Sequence, residues 1–249
     1  MSVDLFSSSA GGTAVSVPGP ITDVIIIFGG WGGLSNAEPI VAGPGSGTSE
    51  LYRSLRDLPT PPGGNRREFL ALTGSLKSSS GVNQGVAFLR RHFHPNGKVV
   101  IYGYSAGGTD ALSLCRRINS EMRFYGFTSR RLVSVKQSGA EVFGDVRVDL
   151  LITVDAASGP GSGGIDRSVP ACVEHNLNFY QSTPSGIASR GWPNVPNSPT
   201  ATRVDNTEIT STSHADIDED TNDQVLDAIR GVLGYEDTPP TFAPGSMGA

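Results

Sequence analysis

Residues 98–108 read Lys-Val-Val-Ile-Tyr-Gly-Tyr-Ser-Ala-Gly-Gly, and this stretch limits the possible folds more than any other in the chain. A β-branched run, Val99 to Tyr102, leads into Gly103-Tyr104-Ser105-Ala106-Gly107, a G-x-S-x-G pentapeptide, and a helix-like segment from Thr109 to Ile118 follows. Between a strand and a helix, such a pentapeptide reads as a nucleophile elbow. The tight turn forces its serine into strained backbone angles, and the flanking glycines leave space where side chains would strike strand and helix. The reading predicts a hydroxyl raised at the C-terminal edge of a sheet. The N-terminus of the following helix favours negative charge beside it.

The rest of the chain alternates in the manner of an α/β domain. Val24–Phe28 is a continuous apolar run, as in a strand buried on both faces of a parallel sheet, and it ends in Gly29-Gly30-Trp31-Gly32-Gly33. Strands are also expected over Glu68–Thr73, Val148–Val154 and Thr207–Thr210, and helices over Glu50–Leu58, Val82–Phe93 and Asp223–Leu233. Alternation of this kind implies a mainly parallel sheet with helices on both faces. Residues 1–20 read as a flexible N-terminal arm, 21–235 as one domain and 236–249 as a disordered tail. Within the domain, 156–206 is rich in Gly, Pro, Ser and Asn and reads as a loop-rich excursion near the site, with one apolar-aromatic patch from Val173 to Tyr180. Residues 121–145 suggest an irregular helix or a small excursion.

With 24 acidic against 19 basic residues and no Lys/Arg stripe, the chain lacks the electrostatic footprint of a nucleic-acid binder. No apolar run approaches the length of a membrane span. Residues 1–13 show neither a basic head nor an apolar core of a signal peptide, so a cytoplasmic location, or export without a cleavable signal, is the expectation. The two cysteines, Cys115 and Cys172, lack metal-site spacing and read as separate, partly buried thiols, with a disulfide the lesser alternative. Nothing in the sequence calls for a metal or a cofactor, and no phosphate-binding G-x-x-x-x-G-K-[ST] motif is present.

A serine hydroxyl needs a base to take its proton, and the base needs an acid to orient it. Of four histidines, His92 and His94 fall at a helix end before a strand, and His175 lies in the apolar-aromatic patch. His214, in Ser211-Thr212-Ser213-His214-Ala215-Asp216, occupies a loop after the last strand and before the last helix; it is the first choice for the base and His175 the second. Asp155 directly follows a buried strand, at the edge where a carboxylate can meet such a loop. Asp166 is the alternative acid, while the run Asp216, Asp218, Glu219 and Asp220 reads as charge at a helix N-terminus. An oxyanion hole calls for two backbone amides, that of Ala106 and one from the glycine-rich loop after the first strand.

With its strand-Gly-Gly-Trp, its Gly-Tyr-Ser-Ala-Gly-Gly, its Val-Asp-Leu-Leu-Ile-Thr-Val-Asp155 and its Ser-His214-Ala-Asp in this order, the chain resembles the α/β-hydrolase superfamily of lipases and esterases over residues 21–235. The resemblance implies the α/β-hydrolase fold, a triad of Ser105, Asp155 and His214, and main-chain oxyanion contacts near Gly30, Trp31 and Ala106. It places the acid after the first strand beyond the nucleophile, similar to pancreatic-type lipases. Trp31, Tyr104, Phe179 and Tyr180 are candidates for contact with a substrate, and packing the core is an equal alternative for Phe179 and Tyr180.

The function so implied is cleavage of carboxylic esters through an acyl-enzyme, on a small-molecule or lipid ester, with no cofactor and no nucleic-acid partner. The same constellation serves acyltransferases and thioesterases. A third reading is a hydrolase-fold binding protein with an inactive elbow.

Overall fold

The computed structural model describes residues 21–30, 47–61, 63–74, 79–124, 133–137, 140–144, 146–157, 164–182 and 191–235. The terminal segments proposed from sequence, 1–20 and 236–249, fall outside these, as does Trp31. In chain order the elements are β1 Thr22–Gly29, α1 Gly47–Asp57, β2 Arg66–Thr73, α2 Ser80–His92, β3 Val99–Tyr104 and α3 Ala106–Phe124. They continue with β4 Val133–Gln137, β5 Ala140–Gly144, β6 Val148–Val154, β7 Ser168–Val169, β8 Val173–Tyr180, β9 Val195–Pro196, β10 Arg203–Glu208, α4 Ile217–Asp220 and α5 Asn222–Val232.

Six strands form one sheet in the order β10-β8-β6-β3-β1-β2. Every pairing within it is parallel. The continuous apolar run of β1 is explained by its position: it is covered on both faces, and Val24 to Phe28 are wholly buried. Alternate side chains of β1 point to opposite helix layers. Val24, Ile26 and Phe28 meet Val82 and Leu89 of α2 and Ala111 and Leu114 of α3. Ile25 and Ile27 meet Leu51 and Leu55 of α1 and Val225 and Ile229 of α5. Each helix thus buries the apolar stripe its sequence carries. The chain goes from β1 outward to β2 and then back across to β3, so the order reverses between β1 and β3. Ligand sites of open α/β sheets lie at such a reversal, beyond the carboxyl ends of the strands.

Three segments differ from the sequence expectation. Helix α3 begins at Ala106, directly after the serine, rather than at Thr109. Residues 133–144 hold an antiparallel pair, β4 with β5, separate from the main sheet, so β6 is the first strand of that sheet after the elbow. The excursion expected over 156–206 contains β8, an inner strand of the sheet, and the start of the edge strand β10. Its polar composition hides this because buried side chains of neighbouring segments pair with one another. Thr153 of β6 donates to Asn178 Oδ1 at 2.8 Å, and Asn178 donates to Asn206 Oδ1 of β10 at 2.8 Å. Asn194 closes the group by donating to Thr153 Oγ1 and Asn176 Oδ1, both at 2.9 Å. Buried amides paired in this way avoid the desolvation cost that otherwise excludes them from a sheet interior.

Cys115 and Cys172 are both fully buried thiols, and the Cys172 thiol donates to the Cys115 carbonyl at 3.3 Å. Among the described residues no helix is long and apolar enough to cross a membrane.

Candidate active site

Ser105 occupies the turn between β3 and α3 with φ +54°, a left-handed conformation that non-glycine residues rarely adopt. Surrounding contacts hold it there. Its N–H donates to Val154 O and its carbonyl accepts from Ala157 N, both at 2.9 Å. These bonds clasp the elbow to the turn that carries Asp155. The elbow packs against β1 so closely that a Cβ on Gly107 would stand 2.3 Å from Phe28 O, and only glycine fits.

Asp155, just past the end of β6, is likewise left-handed, with φ +40°, and fully buried. Its N–H donates to Phe179 O at 2.7 Å, which pins it to the neighbouring end of β8. The described backbone thus contains two non-glycine residues at positive φ, and both lie in this site. Strain kept at two facing turns points to a site held in shape by its surroundings.

His214 lies in the loop between β10 and α4 and is one-quarter exposed at its side chain. Its Nδ1 lies 2.7 Å from Asp155 Oδ2 and its Nε2 lies 2.9 Å from Ser105 Oγ. A carboxylate only accepts, so Nδ1 carries the proton and Nε2 is left to accept from the serine hydroxyl. Hydroxyl, imidazole and carboxylate, from three separate strand ends, form one hydrogen-bonded line.

The alternatives raised by the sequence lie elsewhere. His175 pairs with Leu150 and Arg203 near the opposite ends of their strands, and its Nε2 meets Asp205 at 2.9 Å. Asp166 accepts from Ser168 and pairs with Arg116. His94 is buried and accepts from the Asn96 N–H, whereas His92 lies beside Glu68. Gly30 lies against the elbow, since a Cβ there would stand 3.6 Å from Ser105 Cβ and 3.1 Å from the Tyr104 ring. Ala106 is the first residue of α3, and its amide belongs to the unsatisfied N-terminal turn.

Tyr104 is engaged with His214. Its hydroxyl donates to the His214 carbonyl, and its ring stacks on the imidazole with centroids 5.5 Å apart and planes at 28°. Burial, with the negative charges of Asp218 and Asp155 close by, pushes the phenol well above its ordinary range, so it remains a donor. Phe179 is buried within the apolar cluster that includes Val154 and Ile217, and Tyr180 is half-buried at the end of β8.

Three polar residues near the site have no signature in the sequence. Gln181, fully buried, donates from Nε2 to Asp155 Oδ2 at 3.1 Å. Arg167 donates to Ala156 O at 3.3 Å, and burial lowers its pKa against the opposing pull of Asp155. Asp218 lies in the first turn of α4, as expected of charge at a helix N-terminus, but it is also buried, and burial raises its pKa. Among the described residues no group of three or more His, Cys, Asp or Glu could hold a metal ion.

The parallel sheet reversing beside β3, the strained elbow, and the acid and imidazole on the turns after β6 and β10 have the architecture of the α/β-hydrolase fold. No protein-family model matches the sequence, and no curated protein matches it. Among solved structures, a candidate cell surface hydrolase of Lactobacillus plantarum is similar at 13% identity and TM-score 0.45, over 89% of this chain and 95% of that one. ClbQ of the colibactin NRPS/PKS pathway is similar at 10% identity and TM-score 0.39, over 85% and 97%. The NocB thioesterase domain, in covalent complex with a fluorophosphonate nocardicin G analog, is similar at 15% identity and TM-score 0.40, over 86% and 95%.

Proposed function

We propose that this protein is a serine hydrolase that cleaves carboxylic esters through an acyl-enzyme intermediate. The observation that carries the reading is the line from Ser105 Oγ through the His214 imidazole to Asp155, with separations of 2.9 and 2.7 Å. In this reading Ser105 Oγ attacks the ester carbonyl carbon while its proton passes to His214 Nε2. Asp155 holds the proton on Nδ1 and stabilises the imidazolium that forms. The carbonyl oxygen becomes an oxyanion, and the Ala106 amide, with one from the Gly30 segment, donates to it. One such donor lowers the barrier by about 3 kcal/mol.

Collapse of this intermediate breaks the bond to the alcohol, which leaves with the proton held on Nε2. Water then attacks the acyl-Ser105 carbonyl, giving its proton to Nε2, and collapse returns that proton to Ser105 Oγ with release of the acid. Buried surroundings strengthen each of these interactions relative to water. Trp31, expected from sequence to supply an amide and a wall, remains a proposal at both tasks.

The test is covalent labelling by a fluorophosphonate, read as intact mass, with Ser105→Ala alongside. Labelling at Ser105, lost in the alanine variant, is expected, and an intact protein that does not label refutes the reading. A chain-length series of p-nitrophenyl esters then defines the acyl group. Partition of product toward added alcohol or thiol, in preference to water, would instead identify an acyltransferase.

A further inference from the structure

Gln181 stands where β8 has ended, wholly buried, and its amide is directed at the candidate acid. Nε2 donates to Asp155 Oδ2, the oxygen that also receives the proton on His214 Nδ1. The other oxygen, Oδ1, is buried as well, and among the described residues no donor reaches it. On that side lies Gly191, so near that a Cβ would stand 2.1 Å from Oδ1. The hydrogen bonds that the described residues supply to this carboxylate therefore converge on one oxygen.

The bond to His214 alone leaves the plane of the carboxylate free to tilt about that contact. A second donor fixed to the protein removes that freedom. It also draws electron density from Oδ2 and so weakens the hold of Asp155 on the imidazolium. The backbone opposite is equally fixed, since Trp192 O accepts from Asn178 Nδ2 at 3.0 Å and from Arg167 at 3.2 Å.

We infer that Gln181 is a positioning residue for the triad, fixing the plane of the Asp155 carboxylate against His214 and setting how strongly the two interact. The inference rests on the triad reading above. The other titratable groups near the carboxylate are His214 from the loop after β10, Arg167 from the segment before β7 and Tyr104 from β3. Asp218 of α4 lies beyond His214.

The experiment measures the second-order rate of fluorophosphonate labelling against pH for the wild type, Gln181→Met and Gln181→Leu, with labelling confirmed by intact mass. Methionine keeps the length and volume of the side chain without its donor. Gln181→Met is expected to label about tenfold more slowly at its optimum. Its acid limb should move to higher pH by about half a unit, because Oδ2 relieved of one donor holds the imidazolium more tightly. Gln181→Leu also removes the donor with a side chain of similar volume and should move the limb in the same direction, which gives the test a second arm if the methionine variant does not fold. A packing role alone would lower Tm and leave the acid limb where it stands in the wild type. That result, with wild type labelled at Ser105, overturns the role of Gln181 and spares the triad. Wild type that does not label at Ser105 overturns both.

Discussion

Thr48 and Asp218 stand 170 residues apart and are joined twice: the Thr48 N–H donates to Asp218 Oδ2 at 2.9 Å, and its hydroxyl to the same oxygen at 3.0 Å. Asp218 thereby caps α1 from a distant part of the chain, at the helix end that favours an anion. Gly47 allows the approach, since a Cβ there would stand 2.4 Å from the Asp218 backbone. Four residues before Asp218 lies His214. The loop carrying the candidate base is thus braced against the start of α1.

The burial of Asp218 predicts a pH-dependent stability. Burial raises the pKa of folded Asp218 above its ordinary carboxylate value, so the folded chain binds its proton more tightly than the unfolded chain does. The contribution is therefore full below about pH 3.8 and is lost as pH rises through the raised folded value. Asp218→Asn keeps an acceptor for Thr48 and does not titrate. Urea unfolding of both proteins from pH 3 to 7 should show the wild type losing stability relative to the variant as pH rises. A difference that is flat, or that grows with pH in favour of the wild type, contradicts the account.

Tyr104 gives a second prediction, on activity. Tyr104→Phe keeps the ring stacked on His214 and loses the bond to its carbonyl, for a loss of about 1 kcal/mol, or roughly fivefold in kcat/KM. Tyr104→Ala also removes the stacking, and a further loss of about fivefold is expected. In a substrate-contact role the change would fall on KM and vary with the ester. In a positioning role it falls on kcat and is the same across a p-nitrophenyl ester series.

What the sequence disclosed follows from the range of the interactions involved. The elbow was legible because Gly103, Ser105 and Gly107 are local: one turn dictates all three. Asp155 and His214 were legible through position alone, each following a strand at the same edge. β8 was not, because Asn176 and Asn178 look like loop residues until Thr153, Asn194 and Asn206 supply their partners. Gln181 and Asp218 were hidden for the same reason, their partners lying 26 and 170 residues away. An apolar period is readable from neighbours, whereas a buried polar pair is defined only by the assembled fold.

The elbow's tight packing predicts a contrast between two glycines. A Cβ at Gly107 would stand 2.3 Å from Phe28 O and 2.5 Å from Gly29 O, and neither backbone oxygen can move without disturbing β1. Gly107→Ala should cost about 3 kcal/mol or more, lowering Tm by roughly 6–12 °C in a chain of this size. Near the end of α5, a Cβ at Gly231 meets nothing within 4 Å. Gly231→Ala should raise stability by about 0.5–1 kcal/mol through helix propensity. Thermal unfolding of the two variants measures both, and similar melting temperatures would refute the packing argument.

The choice between histidines can be tested directly. His175 is held by Asp205, which also pairs with Arg203, in the first half of β8, at the end of the sheet away from Ser105. No rotation of its side chain reaches the elbow, because successive residues along a strand are separated by about 3.3 Å and five residues of β8 intervene before its C-terminal end. His214→Ala removes the only described imidazole in contact with Ser105 Oγ and should reduce ester turnover and fluorophosphonate labelling by about 10³-fold or more. His175→Ala removes one partly exposed hydrogen bond to Asp205, costing at most about 1 kcal/mol of stability, and should label within about twofold of the wild type. Far-UV circular dichroism on both variants separates loss of chemistry from loss of fold. If the folded His214→Ala protein labels normally while His175→Ala does not, the base has been placed at the wrong end of the sheet.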